Sequence, residues 1–225
     1  VSGVFSAGST GAAMVAAITI LGKVKGISRP AIASVLPGYR RNIVLLDSGA
    51  NLEVKPQHLL EFATMGSNFA NDSLGIDKPR IGLLNNGEES TKGRAVEKKT
   101  YDLLSKSDLN FIGNVEGRDF SRDTADVFIT DGYTGNMILK SMEGTARLQQ
   151  KLIRDSLDSK IVKPISYIVN RKLKSVNDRF NPDVQNGAFL LGVNGPVTIA
   201  HGSSSPTAVK NALIYMSKNI NNQIK

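Results

Sequence analysis

Apolar, β-branched runs recur along the chain, each bounded by turn residues: Val1–Phe5, Ala31–Leu36, Ile43–Leu46, Ile81–Leu84, Phe111–Ile112, Val127–Ile129, Phe189–Val193 and Val197–Ala200. Runs of this length and composition predict buried strands. Helical spacing of apolar residues falls between them. Leu59, Leu60, Phe62, Ala63 and Met65 mark a helix over Gln57–Phe69, and Val96, Tyr101, Leu103 and Leu104 mark one over Thr91–Ser105. Met137, Ile138, Met142, Leu148 and Leu152 mark Asn136–Ser156, and Ala212, Leu213, Tyr215 and Met216 mark Ala208–Ile220. Ala12–Leu21 is an almost unbroken run of apolar helix formers. Strands alternating with helices predict one α/β domain over residues 1–225, with a largely parallel sheet covered on both faces.

The candidate chemistry sits in the junctions after the strands. Ser6–Gly11, Asp47–Asn51, Asn85–Gly93, Asp131–Asn136 and His201–Ser205 all bear glycine and polar side chains. In an open parallel sheet the strand C-termini share one edge, and ligands bind there, so five such junctions predict a broad polar cleft. Loops of this kind are also generally rich in glycine and polar residues. The first junction, Ser6-Ala7-Gly8-Ser9-Thr10-Gly11, sits between a strand and a helix. There, free N–H groups and the helix dipole suit a phosphate. It matches neither GxGxxG nor GxxxxGK[ST], and a tight turn without a ligand is the competing reading.

Asp47 and Asp131 end strands, where a carboxylate caps the next helix, binds a metal or orients a nucleophile. Lys92, Arg94, Lys98 and Lys99 open a helix, where the dipole disfavours cations; either an anion lies nearby or the face is solvated. His201 reads as an acid/base group or as a structural hydrogen-bonding histidine.

Gln150–Phe180 breaks the pattern. Apolar residues, including Ile161, Ile165 and Ile168, recur among eight basic and three acidic ones, a net of +5. With Pro164 at a corner, this predicts a basic amphipathic helical hairpin inserted at about residues 150–180. Such a hairpin suits an anionic membrane surface or an acidic protein, or it packs as a core or dimer helix pair.

Composition narrows the classes. Of the 225 residues 40% are hydrophobic and 21% charged, ordinary for a globular chain, and the net charge of +8 favours anionic partners. The absence of cysteine excludes disulfides and thiolate metal sites, and only His58 and His201 remain for a histidine site, so no metal is expected. No signal peptide is visible, and Ala12–Leu21 is too short to span a bilayer, so a cytoplasmic protein is expected. A chain opening on Val1 inside a strand suggests N-terminal truncation.

Taken in order, SAGSTGA, IxRPAIA around Arg29-Pro30, LDSGAN at Leu46–Asn51 and PRIGLLNNGEE at Pro79–Glu89 resemble one family. NFIGNVEGRD at Asn110–Asp119, DVFITDGYTGNMILK at Asp126–Lys140 and HGSS at His201–Ser204 complete the set. The resemblance is to the bacterial phosphate acyltransferases of phospholipid synthesis, the PlsX family. It covers essentially the whole chain. The family chain is longer at its N-terminus, where it opens on an Asp-Ala-Met-Gly-Gly-Asp segment absent here, and it usually has Asn where this chain has Ser9.

The resemblance implies a three-layer α/β/α sandwich related to phosphotransacetylases and isocitrate dehydrogenases, a homodimer, and no redox cofactor. It implies that inorganic phosphate attacks the thioester of a long-chain acyl group on acyl carrier protein. The resulting acyl phosphate passes to a membrane glycerol-phosphate acyltransferase. On that reading Ser6, Gly8, Ser9, Thr10 and Gly11 bind phosphate with help from Lys92 or Lys98. Asn114, Asp131, Asn136 and His201 line the reaction centre, and Ile161, Ile165 and Ile168 bring the protein peripherally to the cytoplasmic membrane. Two other classes stay open: a nucleotide-dependent dehydrogenase-like enzyme of related fold, and a non-enzymatic basic membrane-binding module. Nucleic acid is not an expected partner, because the basic stripe lacks interleaved aromatics beyond Tyr167 and Phe180.

Overall fold

The strands form where the apolar runs predict them, in a computed structural model that describes residues 3–157, 188–200, 202 and 204–223. They are β1 (Val4–Ser6), β2 (Ala31–Pro37), β3 (Asn42–Leu46), β4 (Ile81–Leu84), β5 (Phe111–Val115), β6 (Val127–Ile129), β7 (Ala188–Leu191) and β8 (Val197–Ile199). The helices are α1 (Thr10–Leu21), α2 (Pro56–Leu74), α3 (Ala95–Leu104), α4 (Gly132–Leu157) and α5 (Pro206–Gln223). Helix α2 shows why its bounds are sharp. Pro56 opens it without wasting a donor, and Gly75 closes it in the left-handed region at φ 68° while its N–H bonds Asn71 O.

The strands build one eight-stranded sheet in the order β1-β8-β7-β2-β3-β6-β4-β5. Alternation along each strand sends side chains to two cores. Val44, Leu46, Val127 and Ile129 meet Leu59, Phe62 and Phe69 of α2 on one face. Leu45 and Phe128 meet Phe120 and the half-buried Ile138 and Met142 on the other. Helix α1 covers Ile32, Val197 and Ile199 on that second face. Helices thus lie on both faces, the expected three layers.

One expectation is corrected. The five polar junctions do not share an edge. Strands β3, β4, β6 and β5 are mutually parallel, but β2 runs antiparallel to β3 and to β7, and β7 antiparallel to β8. Strand β1 runs parallel to β8. The cause is link length. Only Gly38–Arg41 separates β2 from β3, and only Gly192–Pro196 separates β7 from β8. Links this short make hairpins, because a parallel crossover needs a dozen or more residues. Junctions after β3, β4 and β6 therefore lie at one end of the sheet, and those after β1 and β8 at the other.

Two buried titratable groups give the fold an acid limit. His58 Nδ1 accepts the Lys55 N–H at 3.2 Å, which only a neutral ring can do. Burial first, then the charges of Arg29 and Lys55 against that of Glu61, hold its pKa below the ordinary 6.5. Burial pushes the Asp126 carboxyl up, but its hydrogen bonds to Arg80 and the charges of Arg80 and Arg41 outweigh that and hold it below the ordinary 3.8. In both cases the unfolded chain binds protons that the folded chain refuses, so stability falls as pH falls. Loss should begin below about pH 6.5, through His58, and deepen below about pH 3.8, through Asp126. Urea midpoints should accordingly be lower at about pH 5 than at about pH 7.5, and His58→Gln should shrink the difference.

Candidate functional site

At the β3/β4/β6 end, Asp47 organises the backbone. Its carboxylate is fully buried and accepts the N–H groups of Ile32, Gly49 and Ala50 at 3.0–3.1 Å, together with the Asn51 N–H at 2.6 Å and Asn51 Nδ2 at 2.9 Å. The turn so formed receives the start of α4, where the Gly132 N–H bonds Asn51 O at 2.7 Å. Asp131 caps that helix by accepting the Thr134 N–H at 2.7 Å and Thr134 Oγ1 at 3.1 Å. It also pairs with Arg94, whose Nε donates to both oxygens of Glu97. The bonds from Glu97 first, then from Asp131, hold the Arg94 guanidinium above its ordinary range.

A cleft of about 560 Å³ opens here, lined among others by Asn85, Asn86, Arg94, Thr130, Thr134 and Ile138. Asn114 is buried beside it along β5; its Nδ2 donates to Glu89 O at 2.7 Å, while its Oδ1 has no partner among the described residues. Asn136 is exposed on α4 and lies against Gly49. Lys92 is exposed, 3.9 Å from Glu89, and Lys98 is exposed on α3.

The β1/β8 end is built differently. The Ala200 N–H bonds Ser6 O at 2.8 Å, drawing the glycine turn and the end of β8 together. Gly8 N–H donates to Ser6 Oγ at 3.2 Å, and a side chain at Gly202 would meet Ala7 O at 3.4 Å. Among the described residues, Ser9 begins α1 without a side-chain capping bond, and a side chain at Gly11 would meet no atom within 4 Å. Ser205 caps α5 by accepting the Ala208 N–H at 3.2 Å. Two helices thus start at one sheet end, where first-turn N–H groups and helix dipoles are of the kind that suit an anion. The paired signal was legible as Ser205-Pro206, a capping residue followed by proline, close after the glycine turn's partner strand.

Within one chain, the predicted site residues fall into two groups. Asn114, Asp131, Asn136, Lys92 and Lys98 gather at the first end; Ser6, Gly8, Ser9, Thr10 and Gly11 gather at the second. His201 lies outside the described residues, between Ala200 and Gly202. The strand register places Ile199, Ala188, Ser34, Leu45 and Phe128 at one level. Counting residues and strands from there separates Ala200 from Asp131 by roughly 23 Å. Lys92 and Lys98 therefore do not assist the glycine turn of their own chain. Nor does Asp131 meet the residues flanking His201. Its oxygens are occupied by a helix cap and an ion pair. Ile161, Ile165 and Ile168 also lie outside the described residues.

Residues 1–225 match the family model described as fatty acid synthesis protein. A protein named phosphate acyltransferase from Pelotomaculum thermopropionicum is 46% identical over 99% of this chain and 66% of its own length. Its namesake from Elusimicrobium minutum is 46% identical over 92% of this chain and 61% of its own, and that from Geobacillus sp. is 43% identical over 97% and 67%. The chain thus spans just under two thirds of the first two relatives' length. Among solved structures, a branched-chain phosphotransacylase from Enterococcus faecalis superposes with a TM-score of 0.63 at 14% identity, over 97% of this chain and 74% of that one. A phosphotransacetylase from Streptococcus pyogenes gives 0.62 at 21% identity, over 98% and 63%. At these identities the two structures establish a shared fold, the phosphotransacetylase-like α/β sandwich.

Proposed function

The chain belongs to the fatty acid synthesis protein family, and from that premise we propose that it transfers a long-chain acyl group from acyl carrier protein to inorganic phosphate. The observation that carries the reading is that α1 and α5 both begin at the sheet end where the glycine turn meets the end of β8. Phosphate bound there by Ser6, Gly8, Ser9, Thr10 and Gly11 needs no cofactor. One phosphate oxygen attacks the thioester carbonyl; a C–O bond forms, the C–S bond breaks, and the carrier thiolate takes a proton. His201 is the candidate for holding that proton or the phosphate. Carrier protein is acidic, which suits a chain of net charge +8. The dehydrogenase-like and non-enzymatic readings have no comparable support from the family.

Gly11→Val tests the site. A β-branched side chain would fill the open space at the first turn of α1. The expected result is a rise in phosphate KM of about tenfold or more, equivalent to about 1.4 kcal/mol of anion binding, with acyl-carrier KM little changed. An unchanged phosphate dependence would move the site elsewhere.

Peripheral membrane attachment and a homodimer belong to the same reading. Among the described residues no helix is long and apolar enough to cross a membrane. Helix α4 carries Tyr133, Met137, Leu148 and Leu152 exposed along its length, an apolar stripe that suits a second copy; α4 itself extends through residues 150–157, the first part of the predicted hairpin at about residues 150–180. The acyl phosphate is labile in water, so forming it beside the bilayer shortens its path to a glycerol-phosphate acyltransferase. Changing Ile161, Ile165 and Ile168 together to serine should abolish binding to anionic vesicles and leave soluble turnover within about twofold. Retained vesicle binding with collapsed turnover would make the hairpin a carrier-docking element instead.

A further inference from the structure

Beneath α5, on the sheet face that it shares with α2, lies a second cavity, of about 390 Å³. Met65 and Phe69 of α2, Phe189 and Leu191 of β7 and Met216 of α5 supply its apolar wall. Protein interiors are packed so that few voids exceed a water molecule. This cavity is part open, with Lys25, Asn68, Asp72 and Ser73 also in its lining; its apolar wall offers contacts that an apolar ligand would gain, and its volume lies within the range of small-molecule sites.

Its position ties it to the anion-binding end. Thr198 lines the cavity and is completely buried. Two residues further along the chain, about 7 Å away at strand rise, the Ala200 N–H bonds Ser6 O at the start of the glycine turn. Strand β8 therefore runs from the cavity to the end of the sheet where α1 and α5 begin. We propose that this cavity holds the hydrocarbon chain of the acyl group, with the carbonyl directed along β8 towards the glycine turn, and that residues 198 and 64 set how long a chain is accepted.

The inference rests on the acyl-transfer reading for the identity of its ligand, but not for the existence of the site. Among the described residues Thr198 Oγ1 has no hydrogen-bond partner. A hydrocarbon chain gains nothing from that hydroxyl, so it is a tolerated cost and not a recognition element. Thr198→Val keeps the volume and removes the one hydroxyl that β8 presents to the cavity. Thr198→Leu instead adds bulk to the cavity wall and shortens the space for the chain. Thr64, on the exposed side of α2, lines the same cavity, so Thr64→Trp narrows it from outside without touching the sheet.

The test uses the full-length protein and two readouts. The first is binding of palmitate below its micellar concentration, with no phosphate or carrier present. The second is kcat/KM for palmitoyl and octanoyl carrier thioesters. Palmitate should bind the parent and Thr198→Val alike. Thr198→Leu and Thr64→Trp should each weaken it by about tenfold, the loss of burial for one to two methylenes. The same two variants should lower the palmitoyl-to-octanoyl ratio of kcat/KM by a similar factor. Thermal melting identifies a variant that fails to fold, and the other variant then carries the test. Palmitate binding that is absent, or unchanged in the narrowed variants, overturns the site. Palmitate binding that responds to the variants in a protein making no acyl phosphate sustains the site and refutes the transfer reading.

Discussion

Gly135→Ala is expected to destabilise the protein by about 4 kcal/mol, even though alanine is the better helix former by about 1 kcal/mol. A Cβ at Gly135 would come within 1.9 Å of Asp47 O and 3.2 Å of Ser48 Cα. Both are backbone atoms. They cannot retreat, because the Asp47 carboxylate is pinned by the N–H groups of Ile32, Gly49, Ala50 and Asn51. Either α4 lifts off the sheet or those buried bonds break, and each buried donor left unpaired costs about 1–3 kcal/mol. Gly144→Ala on the same helix is the control. Among the described residues nothing outside the backbone of α4 lies within 4 Å of its added methyl, so it should stabilise by about 0.5–1 kcal/mol. Urea denaturation of the two variants gives opposite signs if α4 is docked as described. A stabilised Gly135→Ala variant would mean that the start of α4 stands clear of the Asp47 turn.

His201→Ala is expected to lower kcat by about 10²–10³, the usual loss when one preorganised donor to a developing oxyanion or bound anion is removed. Asp131→Asn should change kcat by less than about tenfold. The difference arises from the division of the polar residues between two sheet ends. Asp131 is committed to Thr134 and Arg94, and asparagine can still cap α4. The main cost of Asp131→Asn should be stability, through an Arg94 left with Glu97 alone. A large loss of kcat in Asp131→Asn with a near-normal His201→Ala would move the chemistry to the cleft at the β3/β4/β6 end. Comparable losses in both would mean that the centre is assembled from two copies of the chain, each contributing one end. Folded fractions measured alongside turnover separate these cases from simple unfolding.

Much of the fold is legible in the amino-acid string. Strands and helices declare themselves through local periodicity, and that periodicity survives because each apolar face must be buried. Val44 and Leu46 face one core and Leu45 the other, an alternation visible in the run Ile43–Leu46. Helix α2 carries its start signal in Pro56 and its stop signal in Gly75. The ordered motifs identify the family for the same reason: they are local strings. The glycine turn at Ser6–Gly11 likewise lies where strand, turn and helix chemistry predict an anion site.

Direction and distance are not legible there. The junctions after β1, β3, β4, β6 and β8 look alike in composition, yet they emerge at opposite ends of one sheet. That outcome is set by pairing between segments far apart in the chain, β2 with β7 and β1 with β8, and by two links too short for a crossover. Gly135 and Gly144 look alike in the string of α4, and only the approach of the Asp47 backbone distinguishes them. The sequence by itself determined the elements, the family and the glycine turn between strand and helix, because those depend on neighbours a few residues away. The tertiary structure alone decided which polar residues share an end of the sheet, because strand direction is a property of distant pairings and not of any local run.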